Sequence, residues 1–95
     1  GQIRVNEGAK KAILKGASLL AVGIESVSGR FLIGEVVSII GPDGKEFARG
    51  ISNYTSEEIN LIKGMNTTQI RKTLGYIRQK EVINRKRMYL KEGEK

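Results

Sequence analysis

Twelve glycines divide this 95-residue chain into apolar runs too short for helices. Most of them stand where a run ends, so turn chemistry accounts for them and a succession of short strands is the natural product. Ser18-Leu19-Leu20 stops short of Gly23, Ile24 to Val27 stops short of Gly29, and Phe31, Val36, Val37, Ile39 and Ile40 make the longest β-rich run. Behind it, Gly41-Pro42-Asp43-Gly44 carries Pro at the second and Gly at the fourth position of a type I turn, which predicts a hairpin into Phe47 to Tyr54. Ile3 and Val5 alternate with polar neighbours as a half-buried strand does. The last run, Val82 to Leu90, reads as one strand with Ile83, Arg85, Arg87 and Tyr89 on one side and Val82, Asn84, Lys86, Met88 and Leu90 on the other.

Helix signals are few and local. Asn6 can cap a short helix through Ala9, Ala12 and Ile13 that ends near Gly16; Lys10, Lys11 and Lys15 fall on its opposite face, with Leu14 nearer the lysines than the core. Thr55-Ser56-Glu57-Glu58 has the form of a capping box, with Tyr54 placed to staple onto Ile59, and predicts a helix from about Ser56 to Lys63 that ends at Gly64. A further helix capped by Thr67 or Thr68 buries Ile70 and Leu74 and closes at Gly75. The expected fold class is therefore mainly β with short helices, an open or closed barrel of mixed strands in one domain rather than a parallel α/β sheet. Lys91 to Lys95 read as a flexible tail.

Composition removes whole classes of function. With no Cys and no His, thiolate and imidazole metal sites, Ser/His and Cys/His nucleophile pairs and disulfides are excluded, and no catalytic or metal site is expected. The absence of Cys and of any long apolar run leads to the expectation of a cytoplasmic protein that does not engage a membrane. A phosphate-binding loop needs glycines followed by Lys and Ser or Thr at fixed spacing, and neither such pattern occurs; Pro42 in the Gly41 to Gly44 segment lacks an N–H to donate. Glu57 and Glu58 are neighbours at a helix start, where negative charge is favoured, and read as caps rather than as a catalytic pair. Glu35 reads as solvent-facing.

Charge is where a function shows. The formal net charge is +7, residues 1–62 balance seven cations with seven acids, and residues 63–95 carry ten cations against three acids. The whole excess thus lies in the C-terminal third, and basic domains favour polyanions. Arg85, Arg87 and Tyr89 on one strand face would offer two guanidinium groups to phosphates and one ring to a base, while a solvated edge strand protected by charge is the bland alternative.

Asn6-Glu7-Gly8-Ala9, Gly16-x-Ser18-Leu19-Leu20-x-x-Gly23-Ile24, Gly29-x-Phe31-x-x-Gly34-Glu35-Val36-Val37 and Ala48-Arg49-Gly50 resemble, in order and spacing, the PUA domain of RNA-modifying enzymes. Asn53-Tyr54-Thr55-Ser56-Glu57-Glu58, Leu74-Gly75-Tyr76 and Glu81-Val82-Ile83-Asn84-Arg85 extend the resemblance to the C-terminal PUA domain of bacterial glutamate 5-kinases, over nearly the whole chain. The chain departs from that pattern with Asn6 for Asp, Ala21 for Pro, Asn84 for His and Lys86 for Asp, the last making the final run more basic.

The resemblance implies a PUA-like mixed β pseudo-barrel over residues 1–90. RNA would be gripped by a ridge of the first helix, the turn after it and the last strand. By position that ridge comprises Lys10, Lys11, Lys15, Gly16 and Ala17 with Arg85, Lys86 and Arg87, and Tyr89 is added from the strand reading. Leu14 is then a contact for a base, a patch against a neighbouring domain, or a residue buried by a slightly rotated helix. The resemblance also implies a parent, longer than the chain that opens here on Gly1, whose N-terminal amino-acid kinase domain uses ATP and Mg²⁺ to phosphorylate the side-chain carboxylate of glutamate in proline biosynthesis; no cofactor is expected on this chain itself. Three functions compete: RNA binding, a regulatory or assembly role within a homo-oligomeric kinase, and service to an RNA-modifying enzyme.

Overall fold

The computed structural model describes residues 1–91, so the tail expected over 91–95 lies, apart from Lys91, outside the described residues. Five strands make one mixed sheet: β1 (Gln2–Val5), β2 (Ile24–Ser28), β3 (Val36–Ile40), β4 (Glu46–Ile51) and β5 (Met88–Leu90), in the order β2-β1-β3-β4-β5. β1 runs parallel to β3 and every other pairing is antiparallel. Alternation along β1 sends Ile3 and Val5 inward, where they meet Val37, Ile39, Phe47 and Ala48 in a single core. The expected hairpin forms, with the Gly44 N–H donating to the Gly41 carbonyl at 2.9 Å and Gly44 at φ +81°, although β4 ends at Ile51 rather than Tyr54.

Three helices flank the sheet: α1 (Glu7–Leu14), α2 (Ser56–Ile62) and α3 (Thr67–Leu74). The capping box of α2 is present as read, with the Thr55 hydroxyl accepting from the Glu58 N–H at 3.1 Å and the Glu58 carboxylate accepting from the Thr55 N–H at 2.9 Å. For α3 the cap is Asn66, one residue ahead of the threonines, because its side chain closes a second reciprocal box with Gln69 at 2.9 Å in both directions. Gly75 then takes the left-handed conformation at φ +82° that ends the helix. α1 is rotated from the predicted face: Ala12 is exposed, whereas Leu14 is half-buried and packs on the core.

Two expected strands are replaced by sharper devices. Ser18 to Leu20 contributes only an isolated bridge, Leu19 to Ile83, before a 3-10 turn at Ala21–Gly23. The single strand expected over Val82 to Leu90 is broken in the middle, since Asn84 caps a 3-10 turn, Arg85–Arg87, by accepting from the Lys86 N–H at 2.9 Å. A polar side chain with a local N–H to satisfy here outcompetes the β ladder. Gly50 explains how the crossing is packed: a Cβ there would collide with Ile83 Cγ2, so only glycine lets Ile83 lie directly on β4.

Candidate nucleic-acid interface

Residues 67 apart in sequence are fastened together at the end of α1. Asn6 caps the helix by accepting from the Ala9 N–H at 2.8 Å, and the helix unwinds at Gly16, whose φ of +102° only glycine adopts without strain. The chain then runs against the last segment, with the Leu19 N–H donating to the Ile83 carbonyl and the Val82 N–H to the Leu19 carbonyl at 2.9 and 2.8 Å. One residue further, the Ser18 hydroxyl accepts the Arg85 N–H at 2.9 Å. This clamp sets the start of the basic 3-10 turn directly beside the helix end.

Arg85 lies over that glycine. A Cβ on Gly16 would stand 3.1 Å from one guanidinium nitrogen of Arg85 and 3.3 Å from its central carbon, so the position is restricted to glycine twice, by backbone conformation and by the arginine. Gly16, Ala17 and Arg85 share a shallow cleft with Ile13, Met88 and Leu90. It joins an apolar floor to one planar cation. Across the helix end, Ala17 and Ser18 also edge a second cleft of about 360 Å³ between α1 and the Ala21–Gly23 turn, with Ala9, Ala12, Leu20 and Val22 along its walls.

The other expected residues divide. Lys11 and Lys15 are exposed on α1 and its C-cap, near the same edge. Lys86 and Arg87 line a neighbouring polar groove with Asn53, Gln79 and Asn84. Among the described residues, Lys11, Lys15, Arg85, Lys86 and Arg87 make no ion pair, so their charges face solvent.

Two expected members are placed elsewhere. Lys10 turns to the β3–β4 hairpin: its ammonium is 3.9 Å from the Asp43 carboxylate and 5.3 Å from the centre of the Phe47 ring, with its side chain 17% exposed. Asp43 is held below its ordinary value first by the Lys45 N–H at 3.1 Å, with Lys10 adding to the effect. Tyr89 is exposed at the sheet edge but opposite Arg49, on the outer face of β5, while Met88 and Leu90 face the Arg85 cleft. The face shared by Arg85, Arg87 and Tyr89 is therefore not formed, because the 3-10 turn interrupts the alternation that would have built it.

The sequence gives no sign that the amides of Asn53, Gln79 and Asn84 share a groove with Lys86 and Arg87, nor of the role of Ser18. Asn84 was open to reading, since Asn followed by consecutive non-β residues is a capping signal. Ser18 was not, because its partner lies 67 residues away.

The model of the PUA domain matches residues 1–74. Among relatives, the glutamate 5-kinase of Dictyoglomus turgidum is 50% identical over 91 residues, which cover 95% of this chain and 24% of that protein. The glutamate 5-kinase of Thermoanaerobacter sp. (strain X514) is 44% identical over 97 residues, covering 100% of this chain and 26% of that protein. The chain thus spans about a quarter of the length of the curated relatives it matches. Among solved structures, a PUA-domain protein of Aeropyrum pernix K1, in a tartrate complex, superposes with a TM-score of 0.64 at 25% identity, covering 88% of this chain and 41% of that one. A PUA-domain protein of Thermoplasma acidophilum gives 0.63 at 22% identity over 98% of this chain and 50% of its own, a likeness of fold alone. With a family model matched over most of its length and the mixed five-stranded sheet in place, the chain belongs to the PUA-domain family.

Proposed function

We propose that this chain is the RNA-binding PUA domain at the C-terminus of a glutamate 5-kinase, and that it grips RNA at the end of α1. The observation that carries the reading is Arg85 laid over Gly16, with exposed Lys11 and Lys15 in the last turn and C-cap of α1, Lys86 and Arg87 following Arg85 on the adjoining polar groove, and no acid paired to any of the five among the described residues. Unpaired cations beside an apolar floor suit a flexible single strand, whose phosphates and bases reach both. Contacts of this kind bind backbone with little sequence preference. If the five cations meet five phosphates, the affinity for a short single-stranded RNA falls with salt at a log–log slope of about −3.5. Fluorescence anisotropy across a salt series reads that slope, and absence of binding at low salt would sink the proposal.

The kinase part of the reading is supported by 44 to 50% identity over essentially the whole chain. Transfer of the ATP γ-phosphoryl to the glutamate side chain, with Mg²⁺, would take place on the domain that precedes this one in such proteins. The described residues do not fit that chemistry: no three acids converge, and no glycine loop is followed by the Lys and Ser or Thr that a phosphate cradle needs. Cytoplasmic placement belongs to the same proposal, and no helix among the described residues is long and apolar enough to cross a membrane.

A further inference from the structure

On the side of the sheet where β3 begins, the β2–β3 connection and the first residue of β3 present Leu32, Ile33 and Val36 at 63%, 46% and 62% exposure. The connection that carries them is held firmly. The Leu32 N–H donates to the Glu35 carboxylate at 2.8 Å and the Gly34 N–H to the Ser52 carbonyl at 2.8 Å, while the Ser52 N–H returns to the Glu35 carbonyl at 3.0 Å. Val36 points away from the core that buries Val37, and its partner on β4 is the half-buried Ile51. A fixed loop that offers three large apolar side chains to solvent marks a contact surface. Residues 32–36 hold one acid and no cation, which suits a protein surface rather than a polyanion.

The register of the sheet says what passes beside it. β1 pairs parallel to β3 with Gln2 level with Ser38, Ile3 with Ile39 and Arg4 with Ile40. The Gly1 carbonyl continues the ladder by accepting from the Ser38 N–H at 3.0 Å, and a Cβ on Gly1 would strike the Phe31 ring, one residue before Leu32. A residue preceding Gly1 would therefore stand level with Val36 and, by the alternation of β1, point to the same outer face. Because this chain spans about a quarter of the relatives' length, and on the reading above forms their C-terminal part, the remainder of the polypeptide arrives at this patch.

We infer that Leu32, Ile33 and Val36 form the surface on which the preceding catalytic domain of the longer protein docks. This rests on the C-terminal reading proposed above, and it assigns the domain contact to the outer face where β3 begins, whereas the Arg85 cleft lies with Met88 and Leu90 at the β5 edge, two strands away in the sheet. One face would then serve the enzyme and the other RNA.

Hydrogen exchange of the isolated chain and of the full-length protein tests the inference. The amides of residues 32–36 exchange about tenfold more slowly in the full-length protein, and Leu32→Ser with Val36→Thr, both exposed and so harmless to the core, returns them to the rate of the isolated chain. Equal exchange in the two proteins overturns the docking. So does protection that appears in the isolated chain as its concentration rises, since that assigns the patch to a second copy, and so does protection of residues 32–36 on adding RNA. Glutamate-dependent phosphotransfer from ATP, measured on the same full-length preparation, decides the kinase reading separately: activity with unchanged exchange retains the function and removes the docking.

Discussion

Two arginines in the C-terminal third show how differently one side chain is used. Arg78 is turned inward onto Glu58, its Nε 2.8 and 3.0 Å from the two carboxylate oxygens, and the Tyr76 hydroxyl donates to the same carboxylate at 2.5 Å. Tyr54 fastens the segment from below, its hydroxyl donating to the Gln79 carbonyl at 2.7 Å and accepting from the Arg78 N–H at 3.1 Å. Arg85, seven residues later, meets a glycine instead of an acid. The first cation is committed to holding the α2–α3 layer, whereas the second has no acid partner among the described residues. Net charge therefore overstates the field offered to a polyanion; what counts is which cations the fold leaves unpaired.

The difference is broken most severely from the acid side. Glu58 is nearly buried and serves at once as capping-box acceptor and as the hub for Tyr76 and Arg78, so Glu58→Gln should cost about 2 to 3 kcal/mol in urea unfolding, the exposure of Arg78 keeping the loss below that of a fully buried pair. RNA affinity of the folded variant should not change. Burial alone would push the Glu58 carboxyl up, but the hydrogen bonds from Tyr76, the Thr55 N–H and Arg78 outweigh it and hold the group below its ordinary value of 4.5. A carboxylate lowered on folding stabilises above its unfolded value and loses that contribution as pH falls through its folded value. Stability should thus drop below about pH 4.5 in the native chain. Glu46 and Asp43 are lowered as well, so Glu58→Gln should flatten the acid limb without abolishing it.

Gly16→Ala strikes the other arginine. A residue forced to φ +102° with its Cβ 3.1 Å from the guanidinium should cost about 1 to 2 kcal/mol, read by thermal unfolding, and should displace Arg85 and weaken RNA binding together. Tyr89→Ala is the smallest expected effect. Its ring stands opposite Arg49, away from the cleft, so RNA affinity by anisotropy should change by less than about twofold, against the 1 to 3 kcal/mol of a stacked base.

Much of this frame was legible locally. The Gly41 to Gly44 turn, the Thr55–Glu58 box and the Gly75 stop each depend on residues within a few positions of one another, and each stands where the sequence put it. What escaped was decided by partners far away or by one side chain overruling a period. Alternation over Val82 to Leu90 could not foresee Asn84 capping a turn, and that single event separated Tyr89 from Arg85. The family resemblance places Lys10 on the basic ridge by position, but Asp43 and Phe47, on a hairpin more than thirty residues on, hold it instead. The pairing of Glu58 with Arg78 across 20 residues left no trace in spacing. Gly16 and Ala17 were drawn toward the last run by family resemblance, and the hydrogen bond between Ser18 and Arg85 supplies the physical reason.

The central claim is that the unpaired turn Arg85–Arg87, clamped beside Gly16, is where RNA backbone is held. Its most direct test is the salt dependence of single-stranded RNA binding by the native chain and by the triple variant Arg85→Ala, Lys86→Ala, Arg87→Ala, with folding checked by circular dichroism. Loss of three phosphate contacts should reduce the log–log slope from about −3.5 to about −1.4 and weaken binding at every salt concentration. An unchanged slope and affinity in the folded triple variant would contradict the claim.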